Sequence, residues 1–107
     1  QFERSALASI GMPAEIIMRH RLPHFMHIMG GYAAGYYSYL WSEVMDADAF
    51  ASFRDAGDVF DPETAQRLAE NIYAAGGSRD PAELYVAFRG RMPGVEALLA
   101  QRGLTAA

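Results

Sequence analysis

The stretch that most constrains the fold of this 107-residue chain spans residues 23–50 and reads PHFMHIMGGYAAGYYSYLWSEVMDADAF. Two glycines, Gly30 and Gly31, form a predicted hinge, and the run that follows them contains no proline. Because proline breaks a helix interior and glycine often ends a helix, this run predicts one long helix over Tyr32–Asp55, ended by Gly57. We expect the rest of the chain to be organised around this helix.

Four of the six tyrosines of the chain lie in the predicted helix, at positions 32, 36, 37 and 39. The spacing of Tyr32, Tyr36 and Tyr39 is i, i+4, i+7, which places three phenols on one helix face, with Glu43 one turn further on. A buried hydroxyl costs free energy unless it is hydrogen-bonded, so this stripe is typical of a helix that borders a cleft. The alternative is that the tyrosines are half-buried with their hydroxyls in water, and spacing alone does not separate the two.

The residues between the tyrosines are small, and the opposite face of the helix is apolar. Gly35 inside a helix costs about 1 kcal/mol relative to alanine, which indicates a packing or access requirement at that position. Asp46 and Asp48 predict a bend or a solvated face further along the helix. The predicted core face consists of Tyr37, Leu40, Trp41, Val44 and Met45.

The remaining sequence predicts further helices and no strand, because no alternating apolar and polar run occurs. The Asp-Pro pair at residues 61 and 62 is a strong helix start, and a second start lies at Ser78 or Asp80 followed by Pro81. Shorter helices are predicted over residues 2–10 and 95–101, with an ordered loop over residues 13–24. We therefore predict an all-α fold of about four to five helices, with residues 1–107 as a single segment.

Composition excludes several classes of function. The formal charge is −4 without long runs of one sign, which argues against a nucleic-acid partner. No stretch approaches the ~20 apolar residues of a membrane span, and the absence of cysteine excludes disulfides and thiolate metal sites. The expectation is a soluble cytoplasmic protein. Because Gln1 opens a helix-like run without a methionine, we also expect the chain to be a piece of a longer polypeptide.

Three histidines, His20, His24 and His27, lie within eight residues. His20 and His24 have the i, i+4 spacing of a helical metal pair, but Pro23 lies between them and no H-E-x-x-H motif is present. His27 is better placed, since it shortly precedes the tyrosine-rich run and could direct its imidazole into the same cleft. A structural histidine bonded to a backbone carbonyl is equally compatible with the spacing.

Other polar residues give weaker signals. The serines lack the glycine context of a nucleophile elbow, and the Gly-Gly pairs lack the spacing of a phosphate-binding loop. Arg89 and Arg91, in FRGRMP, could bind a substrate carboxylate. The alternative for these two arginines is structural: they could neutralise the end of a helix and pair with surface acids.

With these residues established, the chain resembles the C-terminal portion of the M3 family of zinc metallopeptidases. The resemblance covers nearly the whole chain and rests on two strings, RHRLPHFMHIMGGYAAGYYSYLWSEVMDADAF and FDPETAQRLAENIYAAGGSRDPAELYVAFRGRMPGVEALLAQRGL. The second string is more similar to the peptidyl-dipeptidase branch of the family than to oligopeptidase A. The resemblance implies an almost wholly helical enzyme with a deep channel, a zinc ion and short peptides as substrates.

The resemblance also implies roles for individual residues. His27 would hydrogen-bond the peptide backbone, Tyr32 and Tyr36 would line subsites beside the hinge at Gly30 and Gly31, and Tyr39 would donate its phenol to the oxyanion of the tetrahedral intermediate. The zinc ligands and the water-activating glutamate, however, are missing from this sequence. We therefore expect no metal ligand in this chain, an inactive fragment and an active parent protein whose upstream part completes the site.

A second hypothesis comes from a different class of protein. The chain could be a free-standing helical interaction module whose tyrosine face binds a partner helix or a second copy of itself. Self-association would also be expected of an isolated fragment with an exposed apolar wall.

Overall fold

The computed structural model describes residues 1–104, which form two compact units, residues 1–36 and residues 37 onward. Six α-helices and no strand occur in these residues, which confirms the predicted all-α fold. No helix in this part of the chain is long and apolar enough to cross a membrane.

The first unit contains two short α-helices joined by a long irregular loop. Helix α1 spans Phe2–Ser9 and helix α2 spans Met26–Met29, with a 3-10 turn at Leu22–His24 just before α2. Gly11 follows α1 with a φ of +69°, in the left-handed region that favours glycine. An ion pair between Arg21 and Glu3 ties the loop to α1, and the hydrogen bond from Arg21 holds the pKa of Glu3 below its usual value.

The chain does not form one α-helix from Tyr32, so this prediction is wrong. A 3-10 helix spans Ala33–Tyr37, and helix α3 begins only afterwards, over Ser38–Ala56. Ala33 has a φ of +42°, outside the right-handed helical region, and the N–H of Gly35 donates to the carbonyl of Tyr32 at 2.7 Å, a tight i to i+3 turn. The i, i+4, i+7 stripe assumed a continuous α-helix, and this premise does not hold across residues 32–39.

The second unit is built from α3 and three further helices. These are α4 (Pro62–Leu68), which continues as a π-helical turn over Ala69–Tyr73, α5 (Pro81–Arg89) and α6 (Glu96–Gln101). The π turn was not predicted. Within it the side-chain amide of Asn71 donates to the carbonyl of Arg67 at 2.9 Å, an acceptor that a regular α-helix would pair with the backbone N–H of residue 71.

The predicted starts of α4 and α5 and the predicted end of α3 are confirmed by their caps. Asp61 accepts from the N–H of Thr64 at 2.7 Å, and hydrogen bonds from the Thr64 hydroxyl and backbone hold the pKa of Asp61 below its usual value. Asp80 accepts from the N–H of Ala82 at 2.8 Å. Gly57 and Gly90 end α3 and α5 with φ of +85° and +82°, in the left-handed region that favours glycine.

The apolar core of the second unit takes its buried side chains from α3, α5 and α6. Its buried apolar side chains are Ala47, Leu84, Tyr85, Phe88 and Leu98. Three of them, Leu84, Tyr85 and Phe88, belong to α5. The core face predicted for α3 is wrong: Tyr37, Leu40 and Trp41 are exposed, and Val44 and Met45 are only partly buried. Within the described part of the second unit, neighbouring residues cover that face only in part.

Candidate functional site

The first unit contains a cluster of aromatic rings that includes three of the predicted site residues. The centroid of the His27 imidazole lies 5.4 Å from that of the Tyr32 ring, and the two rings are stacked at an angle of 28°. The same imidazole lies 5.9 Å from the centroid of the Tyr36 ring, in an edge-to-face arrangement. Phe25 packs its edge against Tyr36 at 4.8 Å. Helix α2 and the turn at Tyr32 thus bring one imidazole and two phenols together within a few residues of sequence.

The other two histidines do not form a metal site with His27. The ring of His20 stacks on Phe25 at 6.2 Å, and His24 ends the 3-10 turn before α2. Within residues 1–104, no three His, Asp or Glu side chains lie close enough together to hold a metal ion. The residues present do not fit a zinc site, because zinc in proteins takes three or four nitrogen, sulfur or oxygen ligands.

The glycines of this segment differ in their surroundings. A Cβ added at Gly30 would lie 3.3 Å from the carbonyl oxygen of Met26, so glycine lets the chain pass close to α2. A Cβ at Gly31 or at Gly35 would have no described atom within 4 Å. The packing requirement predicted at Gly35 is therefore not met by any described residue.

Tyr39 lies in the first turn of α3, in the second unit, while Tyr32 and Tyr36 belong to the first. Its side chain is 47% exposed. The structure thus groups His27, Tyr32 and Tyr36 within the first unit, and Tyr39 belongs to the start of the longest helix, in the second unit.

A buried carboxylate, Asp48, is the main polar feature of the second unit, so the solvated face predicted for Asp46 and Asp48 is wrong at Asp48. It is 2% exposed and lies midway along α3. Arg91 donates to its Oδ1 at 2.5 Å, the Tyr85 hydroxyl donates to Oδ2 at 2.9 Å, and the Nε of Arg89 lies 3.4 Å from Oδ2. Arg89 also donates to Asp55 at 2.7 Å. Arg89 and Arg91, for which the sequence allowed either a substrate-binding or a structural role, therefore both form ion pairs within the chain.

Burial and the neighbouring carboxylate change the acidity of Tyr85. Burial raises the pKa of the phenol, and its hydrogen bond to Asp48 raises the pKa further because the ionised phenolate would face a carboxylate; Arg89 and Arg91 oppose this effect. Tyr85 therefore stays a hydrogen-bond donor well above neutral pH.

A second ion pair connects α6 to the first half of α3. One guanidinium nitrogen of Arg102 donates to both carboxylate oxygens of Glu43, at 2.6 and 2.7 Å. Both side chains are partly exposed. Glu43 follows Tyr39 by one helical turn, so this pair lies close in sequence to a predicted site residue.

The partly covered face of α3 lines an apolar groove of about 310 Å³ in the second unit. Trp41, the single tryptophan of the chain, is 63% exposed in it. The lining residues are Tyr37, Leu40, Trp41, Val44, Met45, Pro93 and Val95. Exposed apolar patches of this kind mark sites that contact another polypeptide, a membrane or a ligand.

Comparisons with known proteins relate nearly the whole chain to one family. The sequence model described as peptidase family M3 matches residues 5–104. Oligopeptidase A of Escherichia coli K12 is 51% identical over 86 residues, and dipeptidyl carboxypeptidase of Salmonella typhimurium is 41% identical over 107 residues. These matches cover 78% and 97% of this chain but only 12% and 15% of the two relatives. A probable cytosolic oligopeptidase A of Arabidopsis thaliana is 54% identical over 87 residues, 78% of this chain and 12% of that protein.

Proposed function

Since the chain belongs to peptidase family M3, we propose that it is the C-terminal part of a zinc peptidase that hydrolyses short peptides. In this proposal residues 1–107 form one helical substrate-binding segment of a larger catalytic domain. The observation that carries it is the cluster of His27, Tyr32 and Tyr36, polar rings held together just before the helix that bears Tyr39. The names of the relatives support peptide hydrolysis, and the short share of their length that the chain covers supports a larger parent.

Each side chain of the site has a role that its chemistry supports. The imidazole of His27 hydrogen-bonds the backbone of the bound peptide, while Tyr32 and Tyr36 line the subsites through ring and hydroxyl contacts. Gly30 and Gly31, without side chains, form the hinge that lets the chain approach the substrate. Tyr39 donates its phenol O–H to the oxyanion, a charge that exists only in the tetrahedral intermediate and transition state. Such a donor therefore accelerates the reaction more than it strengthens substrate binding.

The zinc ion belongs to the part of the parent outside this chain, since no H-E-x-x-H motif is present in the sequence. When bound, it supplies Lewis-acid chemistry to the scissile peptide. We infer that the 107-residue chain alone hydrolyses no peptide and that the parent acts in the cytoplasm, without nucleic acid or membrane as a partner. The apolar groove of the second unit packs against the upstream part of the same polypeptide.

The preferred reaction is removal of dipeptides from peptide C-termini, and internal cleavage of oligopeptides is the alternative. The similar relatives carry names of both kinds. The experiment is to incubate the longer protein with matched peptides that end in a free carboxylate or in an amide, and to identify the products by mass spectrometry. Release of C-terminal dipeptides from the free-acid peptide alone supports a peptidyl-dipeptidase. Cleavage of both peptides supports an oligopeptidase. If neither peptide is cleaved although zinc is present and has not been removed by a chelator, the proposal is contradicted.

A second candidate function is a free-standing interaction module that binds a partner or a second copy of itself. The exposed apolar groove around Trp41 favours it. The mass of the natural protein in its source cells, detected with an antibody to this segment, separates the two. A mass several times 11.8 kDa supports the peptidase parent, and a mass near 11.8 kDa supports the module.

A further inference from the structure

The first turn of α3 carries Tyr39 but is not held by a local cap. Its N-cap residue, Tyr37, makes no side-chain hydrogen bond to the helix, and a 3-10 turn rather than an α-helix precedes it. The 3-10 turn leads into α3 without a break, since Tyr37 itself has right-handed helical φ and ψ angles, and no side chain caps the junction. A contact from the side of the helix adds to the local geometry that orients the turn carrying Tyr39.

That side contact comes from α6. Leu98 of α6 is buried, and the next turn ends at Arg102, which donates to both oxygens of Glu43 on α3. Glu43 lies four residues after Tyr39, so the two side chains share a face of α3 one turn apart. The ion pair holds the helix at the turn that adjoins the phenol.

We propose that Arg102 is a positioning residue that, through Glu43, fixes the first turns of α3 and so directs the Tyr39 hydroxyl. The inference rests on the proposed role of Tyr39 in stabilising the oxyanion. Partly exposed ion pairs contribute little to overall stability, whereas charge-assisted hydrogen bonds impose geometry. The effect of removing the pair should accordingly appear in kcat rather than in the unfolding temperature.

The test is a double-mutant cycle in the longer protein, assayed for peptide hydrolysis. Arg102→Gln is expected to lower kcat by about threefold to tenfold with KM changed less than about twofold, because a transition-state contact is misplaced. In the Tyr39→Phe background the same change should lower kcat no further. Arg102→Lys, which keeps one charged donor, should recover part of the loss. The matched control is Arg54→Gln, an equal charge change at the far end of α3, which should leave kcat unchanged.

The outcomes separate this inference from the proposed function. If Tyr39→Phe lowers kcat but Arg102→Gln does not, the positioning role is overturned and the role of Tyr39 stands. The inference is overturned if Arg102→Gln lowers kcat by the same factor whether residue 39 is Tyr or Phe. It is also overturned if Arg102→Gln lowers the thermal midpoint in proportion to activity, because Arg102 then acts only structurally. If Tyr39→Phe itself leaves kcat unchanged, the proposed role of Tyr39 and the inference both fail.

Discussion

At the scale of single residues, Asp48 shows how a buried charge is tolerated. A carboxylate removed from water is costly unless it is paired, and here two guanidinium groups and a phenol surround it. Its partners come from α5 and the loop after it, 37 to 43 residues away in sequence. The cluster therefore joins α3 to α5 from within the core.

Removing the charge of Asp48 should destabilise the second unit strongly. Asp48→Asn leaves Arg89 and Arg91 without their buried counter-charge, and breaking a buried pair costs about 3–5 kcal/mol. Asp46→Asn, two residues earlier on an exposed position of α3, serves as the control and should have little effect. Denaturant unfolding of both variants gives the two free energies, and equal values would contradict the structural role of Asp48.

The raised pKa of Tyr85 predicts that the free energy of unfolding falls at alkaline pH. The folded protein raises its pKa above the ordinary value of about 10, so between that pH and the folded pKa the unfolded chain has lost a proton that the folded chain retains. The free energy of unfolding should therefore fall as pH rises above about 10, by up to about 1.4 kcal/mol per pH unit from this group. Below about pH 10 the stabilising contribution of the Tyr85 hydroxyl is fully present.

The check is unfolding measured across pH 8–11. Tyr85→Phe, although less stable at neutral pH, should lose this part of the pH dependence. Tyr73→Phe, which changes a well-exposed phenol, should keep it. An identical alkaline slope in the wild type and in Tyr85→Phe would exclude Tyr85 as its source.

Tyr39→Phe should lower kcat of the longer protein by about 100-fold to 1,000-fold, with a smaller change in KM, because the lost donor acts on a charge present mainly in the transition state. Tyr73→Phe, a well-exposed phenol outside both the proposed site and the apolar groove, is the control and should retain activity. Steady-state kinetics of both variants on one peptide measure the difference. An unchanged kcat for Tyr39→Phe removes this residue from the proposed mechanism.

The sequence identified Arg89 and Arg91 as candidate binding residues, but it did not identify the carboxylate that they pair with. Both arginines stand beside a helix end, where a structural pair and a substrate carboxylate fit equally well. Asp48 was misjudged because aspartate is usually solvated, and its burial depends on contacts some 40 residues away. A carboxylate amid the apolar residues of α3, together with two closely spaced arginines, was the available signal.

At the scale of elements, local chemistry determined most helix boundaries. The aspartate caps before Pro62 and Pro81 and the glycines that end α3 and α5 act within one turn of the chain, so their sequence signals suffice. The start of α3 was predicted six residues too early because Ala33 adopts a positive φ, which its alanine side chain does not signal. Helical periodicity continues through such a turn, and the pattern alone does not show the break.

Helix α5 ends at Gly90, whose left-handed conformation favours glycine over any other residue. Gly90→Ala forces a Cβ into a residue with φ of +82° and should cost about 1–2 kcal/mol. Gly77→Ala is the matched control: Gly77 lacks a positive φ, and its new Cβ would meet no described atom within 4 Å. It should therefore be neutral or slightly stabilising. Thermal unfolding of the two variants measures the contrast, and equal midpoints would contradict the role of the left-handed cap.

At the scale of the whole molecule, the misassigned core of α3 has a physical explanation. Periodicity correctly identified an apolar face, but a face becomes a core only when another element covers it. Val44 and Met45 are partly buried by their neighbours, whereas Leu40 and Trp41 remain exposed. In our proposal the covering element belongs to the upstream part of the parent, which a sequence of 107 residues does not contain.

This explanation predicts that the apolar groove behaves differently in the isolated chain and in the longer protein. The isolated chain should self-associate through the groove, and Leu40→Glu should weaken that association by about tenfold or more, since a buried unpaired carboxylate is costly. Phe60→Glu, at a position 85% exposed and outside the groove, should not. Sedimentation over a range of concentrations measures both. In the longer protein, hydroxyl-radical labelling with residue-resolved mass spectrometry should find Trp41 protected and Phe60 modified. Trp41 modified as readily there as in the isolated chain would mean that the upstream polypeptide does not cover this face.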